Sequence, residues 1–138
     1  MVKVIMEPKG SGKTKQLIEM INSAVLTEHG NVVCIEWDRE LVYDIHYHIR
    51  LIEASDFYLP TFEALKGFIS GLYAGNYDIT HIFVDNLSKV VPCKDLAQIE
   101  DFLDWMDRFS TANGLKFTVT ISADAESMTD GIKKYLNN

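Results

Sequence analysis

Apolar positions along this chain fall into two rhythms, and each rhythm predicts a different element. Short runs that are apolar on both faces occur over 2–6, 31–36 and 79–85. All three read as strands, and the first, mostly apolar on both faces, fits the centre of a parallel sheet. A fourth run, 115–122, alternates Phe117, Val119 and Ile121 with Thr118, Thr120 and Ser122. That period of two also predicts a strand. Elsewhere the spacing is three and four. Leu17, Ile18, Ile21, Ala24 and Val25 predict a helix over 13–28. Phe62, Leu65, Phe68, Ile69 and Leu72 predict one over 62–73, and Leu96, Ile99, Phe102, Met106 and Phe109 one over 95–111. A short helix around 128–136 closes the chain.

The punctuation agrees with these boundaries. Gly30-Asn31 and Asn113-Gly114 stop helices, Pro60 interrupts regular structure, and Thr61 can cap the helix that follows. One stretch is ambiguous. Over 41–51, Leu41, Tyr43, Ile45, Tyr47, Ile49 and Leu51 alternate with polar or smaller residues, which argues a strand. A short helical turn followed by a strand over 49–54 fits equally well. His46 and His48 would share one strand face, but no third ligand has suitable spacing for a metal. The segment 86–94 reads as a loop or short element around Val90-Val91-Pro92. Asp95, Glu100, Asp101, Asp104 and Asp107 form the polar face of the 95–111 helix and read as a solvated row.

The candidate chemistry lies between the first strand and the first helix. Glu7-Pro8-Lys9-Gly10-Ser11-Gly12-Lys13-Thr14 follows an apolar strand and precedes a helix, the setting of a phosphate-binding loop. Glycines at 10 and 12 allow a tight turn with inward N–H groups, and the helix adds its N-terminal donors and dipole. Lys13 has the reach for β- and γ-phosphates, and the Thr14 hydroxyl suits Mg²⁺. The pattern G-x-x-x-x-G-K-[ST] is met except at its first glycine, which here is Glu7. Two strand ends add acids. Glu36 and Asp38 follow the second strand, on the phosphate side if that strand is parallel to the first. The same two residues could equally cap or solvate a loop. Asp85 ends the run His81-Ile82-Phe83-Val84, as a Walker B acid does.

Composition narrows the picture further. At 138 residues the chain is expected to be one domain. The formal charge of −7 weighs against broad nucleic-acid binding, which depends on neutralising phosphates. Cys34 and Cys93 have neither disulfide-framework nor zinc spacing. No apolar stretch approaches a membrane span and no secretory leader is evident, so a cytoplasmic location is expected.

Taken in order, the elements and the segments 7–14 and 81–86 resemble the RecA-like branch of the P-loop NTPases. More narrowly, the chain resembles small ATP-binding proteins of Gram-positive bacteria that consist of little beyond a P-loop core. The resemblance implies a three-layer α/β P-loop NTPase fold with a mostly parallel sheet of four or five strands. It implies an extra strand between the P-loop strand and the Walker B strand. It also implies a single nucleotide-binding domain over 1–138. Lys9, Gly10, Ser11, Gly12, Lys13 and Thr14 would bind ATP, with Thr14 and Asp85 on Mg²⁺. Glu36, or second to it Asp38, would polarise water. Thr120 or Ser122 could touch a phosphate or that water from the end of its strand. No N-K-x-D motif follows Asp85, so guanine specificity is not expected. Arg39, Arg50 and Arg108 are the arginine-finger candidates within the chain, and another subunit could supply one.

The expected activity is Mg²⁺-dependent ATP binding with slow hydrolysis, coupled to a homo-oligomer or protein partner. Two alternatives stand beside it. One is a small-molecule kinase resembling the thymidine-kinase group, with Glu36 as base toward an acceptor hydroxyl. The other is a structural or regulatory protein whose nucleotide site is degenerate. There, Glu7 would repel phosphate and place a side chain where glycine has freer dihedral angles.

Overall fold

The four apolar or alternating runs 2–6, 31–36, 79–85 and 115–122 all form strands, and in the computed structural model they join a fifth to make one sheet ordered β1-β5-β4-β2-β3; β1, expected at the centre, lies instead at one edge. The structure describes residues 1–7, 13–38, 41 and 44–136. The strands are β1 (Val2–Glu7), β2 (Asn31–Glu36), β3 (Arg50–Glu53), β4 (Ile79–Val84) and β5 (Lys116–Ser122). Every pairing is parallel, so all five carboxyl ends lie along one margin of the sheet. Parallel neighbours need long crossovers. Helices α1 (Lys13–Thr27), α2 (Phe62–Gly75) and α4 (Leu96–Asn113) supply three of them. Two short helices, α3 (Leu87–Val90) and α5 (Asp130–Lys133), complete the set.

The result is a three-layer α/β fold. On one face, Leu17, Ile21 and Ala24 of α1 pack on Val32, Cys34 and Phe83. On the other, α2 and α4 cover Val33, Ile35, Ile82, Val84, Phe117 and Val119, joined by Leu87 of α3 and Ile132 of α5. Phe83, Phe102 and Phe117 are completely buried; each such side chain contributes roughly 1.5–3 kcal/mol. Burial on both faces is why Ile82-Phe83-Val84 of β4 is an unbroken apolar run: Phe83 serves one layer and its neighbours the other.

Capping follows the sequence closely. Thr61 Oγ1 accepts from the Ala64 amide at 3.1 Å. Asp95 caps α4 by accepting from the Ala97 amide at 2.9 Å, so the helix starts one residue later than its stripe predicted. Gly114 ends α4 in the left-handed region, with φ 69°. Gly30 is required for a different reason, since a Cβ there would lie 2.1 Å from the Asp78 carbonyl oxygen.

The alternating stretch does not form a strand over 41–51. The described residues 44–49 are turns and bends, and β3 begins at Arg50, as in the second of the two readings. Hydrogen bonds explain the outcome. Asn22 of α1 donates to the Asp44 carbonyl at 3.0 Å and accepts from the His46 amide at 2.8 Å. Asp44 N–H also donates to the Leu41 carbonyl, and Ile49 N–H to that of His46. These groups are therefore engaged before any strand ladder could use them.

Candidate functional site at the carboxyl margin of the sheet

Adjacent strands bring Glu36 and Asp85 side by side. Ile35 of β2 stands opposite Val84 of β4, and the Asp85 amide donates to the Ile35 carbonyl at 2.8 Å. Along each strand side chains alternate. Cys34 and Phe83, two residues back from the acids, both face α1. Both carboxylates lie close enough to the Cys34 thiol to reinforce what burial does, which is to push its pKa well above the ordinary thiol value.

A hydroxyl from the neighbouring strand fixes Asp85. Thr120 is wholly buried on β5. Its Oγ1 donates to Asp85 Oδ1 at 2.8 Å and accepts from the Asn86 amide at 2.7 Å. A hydroxyl has one hydrogen, so Thr120 cannot also donate to a phosphate or a water. Its one hydrogen is therefore committed to positioning Asp85. Asn86 has φ 58° and ψ 72°, the sole non-glycine with positive φ among the described residues. Asparagine tolerates that region better than most residues. The turn directs the chain from β4 straight into α3.

Glu36 is 2% exposed. Its Oε1 accepts from the Leu41 amide at 3.1 Å, and Leu41 is buried in the α1-side core. A buried carboxylate thus holds the far end of the loop that leaves β2. Asp38 has a different setting, half-exposed and 3.6 Å from the Lys89 ammonium of α3. Glu53 ends β3 opposite Glu36 in register. Sequence reasoning missed this third acid because the start of β3 was ambiguous.

The expected phosphate loop lies outside the described residues from 8 to 12, which takes in Lys9, Gly10, Ser11 and Gly12. The side chains of Glu7, Lys13 and Thr14 lie outside them as well, although the backbone places Glu7 at the end of β1 and Lys13 and Thr14 in the first turn of α1. β1 continues through Glu7, which pairs with Ser122. Position 7 is therefore extended backbone that any residue can adopt, so the conformational objection to a non-glycine residue there falls away. The first turn of α1 contains no acid to offset its positive end.

Of the arginine candidates, Arg39 lies outside the described residues, Arg50 opens β3 at the opposite margin, and Arg108 is exposed on α4. The rings of His46 and His48 stack at 5.0 Å. Among the described residues, no group of three or more His, Cys, Asp or Glu side chains is arranged to hold a metal. Mg²⁺ on a nucleotide asks for less, one or two protein oxygens beside phosphates and water. Asp85, a hard oxygen donor fixed by Thr120, has the chemistry for that ion. Nor is any helix among the described residues long and apolar enough to cross a membrane. Compared with known proteins, the chain matches no family model and no curated protein.

Proposed function

We propose that this chain is a RecA-like P-loop ATPase that binds ATP with Mg²⁺ at the carboxyl margin of its sheet and hydrolyses it slowly. The observation that carries the reading is the pairing of Glu36 and Asp85 on the α1 face, with Thr120 fixing one of them. Strand order supports it: β5 lies between β1 and β4, as expected for a strand inserted between the P-loop strand and the Walker B strand. The backbone supports it too, because β1 ends at Glu7 and α1 starts at Lys13, on either side of Gly10 and Gly12.

In this reading, N–H groups from Lys9 to Thr14 hold the β-phosphate and Lys13 neutralises β/γ charge. Thr14 and Asp85 would hold Mg²⁺, which supplies charge neutralisation across the phosphates when bound. Glu36 orients a water and accepts its proton as the water oxygen bonds to the γ-phosphorus. The bond from that phosphorus to the bridging oxygen breaks, and ADP and phosphate leave. Hydrolysis would drive a change in a protein partner or in a homo-oligomer. Glu7 lowers phosphate affinity by its charge alone.

Single-turnover assays with γ-labelled ATP test the assignment. Label should pass to water, Glu36→Gln should slow release at least about a hundredfold while binding persists, and Glu7→Gly should tighten binding. Transfer to an added nucleoside would favour the kinase alternative. Hydrolysis unaffected by Glu36→Gln would remove Glu36 from its role.

A further inference from the structure

Beyond Glu36 the chain builds a recess on a different set of residues. Trp37, Phe57, Tyr58, Pro60, Pro92 and Lys89 surround a cavity of about 610 Å³, within the usual size range for small-molecule sites. These residues come from three separate segments: the loop after β2, the segment after β3, and α3 with the residues that follow it. Trp37 is 38% exposed, Phe57 49% and Tyr58 88%. Three large aromatics left in water at one place is costly unless something covers them.

Contacts between and behind its walls hold the recess together. The Ser55 amide donates to the Trp37 carbonyl at 2.9 Å. Phe57 rests on Phe68 of α2, with ring centroids 5.2 Å apart. Asp38, next to Trp37, reaches Lys89 at 3.6 Å. Its aromatic and proline walls suit a flat apolar body. Among the described residues lining it, Lys89 is the only charged one, on a chain whose formal charge is −7. Its pairing with Asp38 is long and half-exposed, which leaves ammonium donors able to meet an anion.

We infer that this recess is a binding site for a small planar aromatic anion, its ring against Trp37 and its acidic group toward Lys89. The inference stands independently of the nucleotide reading. Titration of ¹⁵N-labelled full-length protein with 2-naphthoate, and separately with 2-naphthylmethylammonium, tests it. The Trp37 indole signal, assigned from Trp37→Phe, and the Lys89 amide should shift saturably with naphthoate. The anion should bind at least about tenfold tighter than the cation, as a charge contact of about 1.4 kcal/mol requires. Lys89→Gln should erase that preference, Lys89→Arg should keep it, and Lys13→Ala should leave it unchanged. A preserved spectrum elsewhere verifies that each variant is folded. No saturable shift at Trp37, equal binding of anion and cation, or a preference that survives Lys89→Gln would each overturn the inference. A response to peptides alone would overturn it in favour of a protein partner.

Discussion

Thr120 has one hydroxyl, and the carboxyl margin uses both its donor and an acceptor position. From a fully buried position on β5 it donates to Asp85 and accepts from the Asn86 amide. Valine has nearly the same shape but removes both of these hydrogen bonds. Thr120→Val should therefore destabilise the fold by roughly 1–3 kcal/mol. Chemical denaturation measures that loss. The same variant should weaken Mg²⁺-dependent ATP binding while leaving Mg²⁺-independent binding nearly unchanged, because Asp85 would lose its hydrogen bond from β5. His81 makes a separate prediction at the opposite margin. Burial keeps its pKa down at about 4, with the nearby Glu28 opposing and Lys116 assisting. In the unfolded chain it titrates near 6.5, so between these values the unfolded state holds the extra proton. Stability should fall as pH drops through that window, by roughly 3 kcal/mol in total from this residue. Comparing His81→Phe with the parent across pH 4 to 7, a range set by about those two values, should show a flatter profile in the variant.

At the scale of elements, the acidic row on α4 gained a purpose its periodicity did not show. Asp104 accepts from the Tyr135 hydroxyl at 2.5 Å and pairs with Lys134 at 3.2 Å. The tyrosine hydrogen bond is the main cause holding the Asp104 pKa below its usual value. Glu100 accepts from Thr129 at 2.7 Å. These acids dock the C-terminal segment, whose Tyr135 carbonyl accepts from the Val4 amide on the edge strand β1. Asp104→Ala should cost roughly 1–2 kcal/mol and speed hydrogen exchange at Val4; unchanged exchange there would mean that the segment docks without it. The row read as merely solvated because a helix face predicts which residues avoid the core, not which later segment returns to them. The 41–51 alternation misled for a related reason. Its period was real, but Asn22, far back in α1, claimed the backbone groups. Strands β1, β2 and β4 were legible as short, mostly apolar runs bounded by turn residues or acids, and β5 by its alternation of apolar residues with Thr118, Thr120 and Ser122. The tie between Thr120 and Asp85 was not, since it joins residues 35 apart through a strand order that no local pattern encodes.

For the whole molecule, parallel strands matter because they collect every carboxyl end at one margin. There the end of β1, the start of α1, Glu36 and Asp85 converge. The acidic net charge places no bar on an anionic ligand if backbone N–H groups and Lys13 supply a local positive field. The central claim is that this margin binds ATP–Mg²⁺ through Lys13. Isothermal titration calorimetry of the full chain against ATP–Mg²⁺, with Lys13→Ala as comparison, tests it most directly. The account predicts one site per chain and a loss of affinity of at least about tenfold in the variant, equivalent to about 1.4 kcal/mol. No binding by the parent chain, or equal affinity in parent and variant, would contradict it.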